Sequence, residues 1–230
     1  MLVAIDTATP TVSVAIGDGG VTLGRVELTG GRRHAEQLVP AIQYLCAETA
    51  TSIERLSAVA VGLGPGLFTG LRVGVATARM MASARRVPAV GIPSLDLVAY
   101  PLRHTTRLIV VIVDARRHEV FHARYRPVPG GVQRVSEYEV AAPADLVAEL
   151  EADGEELLLA GDGALRYRDD FAELERAEQA GPAFATPSTA ALVTLASARI
   201  EREEFGGADT LVPLYVRRSD AELNWERRGR

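Results

Sequence analysis

The chain has 230 residues, 47% of them apolar, and a formal net charge of −5. That length and apolar content suit one large domain or two small ones, and exclude a disulfide-stapled miniprotein or a disordered chain. The acidic balance excludes bulk attraction to nucleic acid, and no run approaches the ~20 apolar residues of a membrane span.

In chain order, Leu2 to Ile5 is an apolar run ending in Asp6-Thr7. Val12, Val14 and Ile16 then alternate with Thr11, Ser13 and Ala15, the period of a half-buried strand. A turn at Gly17 to Gly20 leads to a third strand over Val21 to Leu28. Leu38, Ile42 and Leu45 share one face of a helix over about His34 to Ala50. Ala58 to Val61 is a further apolar strand, closed by the glycine loop Gly62 to Gly66. A helix rich in small residues follows over about Thr69 to Arg85, then a short strand, Ala89 to Ile92, ended by Pro93.

The pattern restarts at the apolar run Leu108 to Val113, ending in Asp114. An alternating strand over Val120 to Tyr125, a turn at Pro127 to Gly131 and a strand over Val132 to Val140 follow. A helix near Pro143 to Ala152, a strand over Leu157 to Ala160 and a helix over about Thr189 to Glu203 complete the copy. Asp6 and Asp114 hold the same place in two copies of one unit, so we expect an internal duplication, with lobes over residues 1–102 and 103–230. The fold class is α/β. The order of elements resembles two ribonuclease H-like lobes, each with a mixed five-stranded sheet, paired as in the actin-like ATPase superfamily.

Cys46 is the single cysteine, which cannot form an internal disulfide, and the start of the chain carries no basic n-region. Both features lead us to expect a cytoplasmic protein. Every basic residue is Arg, which removes lysine Schiff-base chemistry and the lysine of a P-loop. Residues 101–134 carry seven Arg against two acids, whereas residues 135–180 carry fourteen acids against three Arg.

Asp6, Thr7 and Asp114 are candidates for a weak nucleotide site, because actin-like ATPases place an aspartate near magnesium and phosphates after such a strand. The competing and preferred reading for Asp6 is turn chemistry, in which its carboxylate binds backbone N–H groups two residues on. The glycine loop lacks dinucleotide spacing, since Leu67 stands at the third glycine position, and Pro65 removes a donor. His118 and His122 read as partly solvated residues on one strand face, roughly 13 Å apart at ~3.3 Å per residue. His34 and His104 have no ligand neighbour at useful spacing, and no metal site is expected.

Four segments are more specific: Ala4-Ile5-Asp6-Thr7-Ala8-Thr9; Gly62-Leu63-Gly64-Pro65-Gly66-Leu67-Phe68-Thr69-Gly70-Leu71-Arg72-Val73-Gly74; Asp114-Ala115-Arg116-Arg117-His118-Glu119-Val120-Phe121; and Pro213-Leu214-Tyr215-Val216-Arg217. In this order and at these spacings the chain resembles the TsaB (YeaZ) family, the accessory subunit of the bacterial machinery that makes threonylcarbamoyladenosine next to the tRNA anticodon. The glycine segment is shared with the catalytic paralogue, TsaD, which carries a metal-binding His-x-x-x-His pair further on. Ser94 and Val98 stand at those positions here, and valine cannot ligate.

The resemblance implies a subunit that is not an enzyme on its own and holds no tight cofactor, with ATP used by the assembled complex. It implies TsaD and the ATPase TsaE as partners, tRNA contact through the complex, and a homodimer when alone. It places the partner interface on the first two helices: His34, Leu38, Ile42 and Leu45 on one; Gly70, Arg72, Gly74, Val75 and Arg79 on the other. Gly70, Gly74, Ala78 and Ala82 form a small-residue stripe that would admit a partner helix. The segment from Arg217 through Arg228, with the only Trp, Trp225, is expected to dock on the complex. The alternative function is a stand-alone actin-like-fold ATP-dependent kinase or ATPase. A metallopeptidase would need zinc ligands, and no His-Glu-x-x-His is present.

Overall fold

The computed structural model describes residues 1–30 and 33–217. Its first sheet contains β1 (Leu2–Asp6), β2 (Thr11–Asp18), β3 (Val21–Thr29), β4 (Ala58–Gly62) and β5 (Ala89–Ile92), in the order β3-β2-β1-β4-β5. The three N-terminal strands form an antiparallel meander, and β4 and β5 add in parallel. β1 and β4 are buried on both faces, which is why they read as unbroken apolar runs rather than alternating ones. On one face, Leu38, Ala41, Ile42 and Leu45 of α1 (His34–Glu48) pack with Val75, Ala78 and Ala82 of α2 (Phe68–Arg85). Beneath them lie Val3, Ile5, Val14 and Val61.

The helix α3 (Ser94–Ala99) leads to a second sheet. Its strands are β6 (Leu108–Arg116), β7 (Glu119–Val128), β8 (Gly131–Arg134), β9 (Glu139–Ala141), β10 (Leu157–Ala160) and β11 (Ala177–Gln179). Its order, β11-β10-β6-β7-β8, and its strand directions repeat those of the first sheet, with β6 in the role of β1. This is the duplicated α/β architecture expected from the sequence, with one correction. The second sheet has six strands rather than five, because the third strand of the repeat is broken into β8 and β9, both on β7. The break falls where a side chain takes over the ladder: the Arg124 N–H donates to Ser136 Oγ at 3.0 Å. Tyr138 then leaves the strand path to bond Asp96. The helices α4 (Pro143–Asp153), α5 (Asp162–Arg166) and α6 (Arg168–Phe171) cover Leu108, Val110 and Ile112, while Ile109, Val111 and Val113 face α3.

Cover is exchanged between the two sheets. Helix α7 (Thr189–Glu201), the last α-helix among the described residues, lays Ala191, Leu192, Val193 and Ala196 on Leu2, Ala4, Ala15 and Ala60 of the first sheet. Conversely, α3 sets Leu95, Val98 and Ala99 against the second sheet, and its Leu97 joins the α7 layer. The Arg-rich and acidic segments face one another. Arg107 pairs with Glu156 and Glu178, Arg124 with Glu149 and Asp153, and Arg126 with Glu155.

Candidate functional site

The four distinctive segments meet in a continuous structure. Asp6, at the end of β1, is fully enclosed. Its Oδ2 accepts from Ser94 Oγ at 2.7 Å and its Oδ1 from the Ala8 N–H at 3.0 Å. Ser94 Oγ in turn accepts from the Gly64 N–H at 3.0 Å. Burial pushes the Asp6 carboxyl up to about 6, against the pull of those two hydrogen bonds. Gly62 has no alternative here, because a Cβ on it would stand 1.8 Å from Asp6 Oδ2.

The glycine loop closes on the β1–β2 turn. The Leu67 N–H donates to the Ala8 carbonyl at 2.7 Å, and a Cβ at Gly66 would fall 2.3 Å from that oxygen. Thr7 Oγ1 donates to the Gly70 carbonyl at 2.8 Å, and a Cβ at Gly74 would lie 2.2 Å from Thr7 Oγ1. The N–H groups of Gly64 and Leu67 are thus committed to the chain's own oxygens, and Pro65 has none. The turn-chemistry reading of Asp6 matches this geometry.

Asp114 occupies the equivalent end of β6 but a different environment. Its Oδ1 accepts from the Arg116 N–H at 2.9 Å and the Tyr167 hydroxyl at 3.2 Å, and Arg116 and Arg166 flank its Oδ2 at 3.3 and 3.5 Å. The Asp114 N–H donates to Asp162 Oδ1 at 2.9 Å, and burial raises the Asp162 carboxyl to about 6, with the Asp114 charge adding to the rise. Arg116, Arg117 and His118 at the adjoining hairpin tip all have left-handed φ angles, 66°, 58° and 59°, an arrangement that costs non-glycine residues energy. Among the described residues, Asp6 and Asp114 share no hydrogen-bond or ion-pair partner.

The C-terminal segment ties the rest. The Leu214 N–H donates to the Leu63 carbonyl at 2.7 Å, and Tyr215 stacks obliquely on Phe68, ring centres 5.3 Å apart. The Arg72 guanidinium lies 3.8 Å above the Phe68 ring and donates to Tyr215 Oη at 3.2 Å. Arg217 pairs with Glu119 across the β6–β7 hairpin, so this part of the expected docking tail packs on the fold. The remainder of that tail, from Arg218 through Trp225 to Arg228, lies outside the described residues.

Most of the expected interface residues are interior. Leu38, Ile42, Leu45 and Val75 belong to the core of the first sheet, and Gly70 and Gly74 are filled by Thr7. His34 is buried and its Nε2–H donates to the Thr9 carbonyl at 2.9 Å. The glycines of the small-residue stripe therefore admit the chain's own β1–β2 turn, and its Ala78 and Ala82 pack in the core with α1. Arg72 and Arg79 are exposed, as are Val39, Tyr44 and Met80, which sequence reasoning missed. Ser94 is buried at the Asp6 carboxylate and Val98 in the core under the second sheet. His122 is also buried, not partly solvated, because α4 covers its face of β7.

Residues 27–225 match the family model TsaD, tRNA N6-adenosine threonylcarbamoyltransferase. An uncharacterised protein of Mycobacterium leprae is 40% identical over 150 residues, which are 64% of this chain and 40% of that relative; the match thus spans about two fifths of its length. The tRNA threonylcarbamoyladenosine biosynthesis protein TsaB of Bacillus subtilis is 28% identical over 231 residues, 97% of each chain. Among solved structures, YeaZ from Pseudomonas aeruginosa superposes with a TM-score of 0.76 at 26% identity, covering 93% of this chain and 98% of that one.

Proposed function

Because the chain belongs to the TsaB (YeaZ) family, we propose that it serves tRNA threonylcarbamoyladenosine formation as a non-catalytic subunit that binds and activates the TsaD paralogue. The observation that carries this reading is the outer surface of α1 and α2. Val39 and Tyr44 of α1 and Met80 of α2 are 47%, 57% and 63% exposed, and α2 also carries the exposed Arg79 and the Phe68–Arg72–Tyr215 stack. Large apolar and aromatic groups with arginines are the composition of a protein interface. The stack holds Arg72 in one position before any partner arrives, which lowers the entropy lost on docking. Self-association of the free chain would use the same surface, and TsaE and tRNA would be met in the assembled complex.

The Asp6 region supports the non-catalytic part of the proposal. Ser94 and Val98 take the two positions where TsaD has its metal histidines, and here one braces a carboxylate and the other fills a core. Transfer of the threonylcarbamoyl group from its adenylate to adenosine N6 would then fall to the partner, with ATP spent by the complex.

Co-purification with the TsaD paralogue from the same source tests this. Arg72→Glu and Met80→Glu should each leave the melting temperature of the isolated chain near the parent's, while capture of TsaD and modification by the reconstituted system fall at least about tenfold. Undiminished capture by both variants, or transfer by the isolated chain without TsaD, would overturn the proposal.

A further inference from the structure

His122 stands on β7 directly opposite Glu139 of β9, and Glu149 of α4 closes over the pair. One ligand-type atom from each of the three lies within 4.8 Å of the others. The imidazole is 3% exposed, yet among the described residues its buried Nδ1 has no hydrogen-bond partner, and its Nε2 lies 4.0 Å from Glu139 Oε2, beyond hydrogen-bond reach. Buried polar atoms are nearly always satisfied, so an orphaned imidazole beside two carboxylates requires an explanation. The charged groups facing it are Glu139 from β9, Glu149 from α4 and Arg124 from its own strand. Arg124 is committed to Glu149 Oε1 and Asp153, which orients Glu149 and leaves its second oxygen available.

We propose that His122, Glu139 and Glu149 form a binding site for a divalent first-row transition metal such as Zn²⁺. One nitrogen and two carboxylate oxygens suit such an ion, whereas Mg²⁺ and Ca²⁺ favour sites made wholly of oxygen. The ion would offset the repulsion between the carboxylates and use the lone pair of a neutral imidazole. Burial lowers the affinity of this histidine for a proton, which keeps that lone pair available. Both glutamates are half exposed, so the ion has an entry path and water completes its coordination. Its structural effect would be to pin β9, the short fragment of the broken strand, to α4.

The test uses untagged, chelator-treated full-length chain. Titration with Zn²⁺ should show one saturable equivalent that millimolar Mg²⁺ does not displace, and Co²⁺ should give visible absorption bands characteristic of mixed nitrogen and oxygen coordination. Glu139→Gln and Glu149→Gln should each weaken Zn²⁺ binding at least about tenfold, and His122→Gln should abolish the Co²⁺ bands. Glu139→Gln lies on the exposed edge and keeps the test valid if the His122 variant fails to fold. No saturable uptake by the parent chain, or uptake unchanged in Glu139→Gln, would overturn the proposal.

Discussion

Gly62→Ala is the sharpest probe of the Asp6 cluster, because the added methyl would stand 1.8 Å from Asp6 Oδ2 and 2.8 Å from Ser94 Oγ. The carboxylate cannot withdraw without giving up its bonds from Ser94 Oγ and the Ala8 N–H. Losing both costs ~1 kcal/mol each, and overpacking a filled site adds ~1–3 kcal/mol. The sum, ~3–5 kcal/mol, corresponds in a chain of this size to a fall in melting temperature of roughly 6–20 °C. The assay is thermal melting by circular dichroism, run as a double-mutant cycle with Asp6→Ala. Removing the carboxylate vacates the space the methyl needs, so in that background Gly62→Ala should cost ~1 kcal/mol, giving a coupling of ~2–4 kcal/mol. A Gly62→Ala chain that melts within about 3 °C of the parent would refute the packing argument. Equal costs in the two backgrounds would refute it as well.

Asp6 and Asp162 both hold protons in the fold up to about pH 6, against 3.8 for a free carboxyl. The native state therefore binds more protons than the unfolded state between those values. The stability each group contributes, ~3 kcal/mol at most, is present below the free value and is lost as pH rises through about 6. Melting temperature should accordingly rise between about pH 7.5 and pH 5, with a smaller rise in Asp6→Asn; an equal rise in that variant would remove Asp6 as a cause. Asp96 accepts from both the Tyr125 and the Tyr138 hydroxyls, at 2.8 and 2.7 Å, tying α3 to the second sheet. Tyr138→Phe should cost ~1 kcal/mol by thermal melting, whereas Asp96→Ala, which strands two tyrosine hydroxyls, should cost ~2–4 kcal/mol; equal losses would mean the network is not shared.

The duplication was legible because both copies open with an apolar strand buried on two faces and follow it with an alternating strand and a glycine turn. Those are local properties. The break in the third strand of the second copy was not legible, since it depends on Ser136 meeting the Arg124 N–H from the neighbouring strand. The small residues of α2 were visible as a stripe, but spacing alone does not say what fills a groove. The filler, Thr7, lies more than sixty residues away in sequence. A usable signal was present in the charges: the Arg-rich segment and the acidic segment that follows it turned out to pair with each other. Arg124 with Glu149 and Asp153 carries α4 over His122, the residue that strand alternation alone had left on a wet face.

The exchanged helices impose an order on how this chain is born. The α7-facing side of the first sheet, with Leu2, Ala4, Ala15, Ala60 and Val90, is complete in sequence once Ile92 has been made, but its cover arrives only with residues 189–201. At ~5–20 residues per second of synthesis, that side waits roughly 5–20 s in an apolar, uncovered state. A nascent chain of this length therefore presents the kind of exposed apolar surface that chaperones bind. Separately expressed halves cut after residue 102 should be sticky alone and regain solubility only when made together, since the first sheet's cover would be on the other piece.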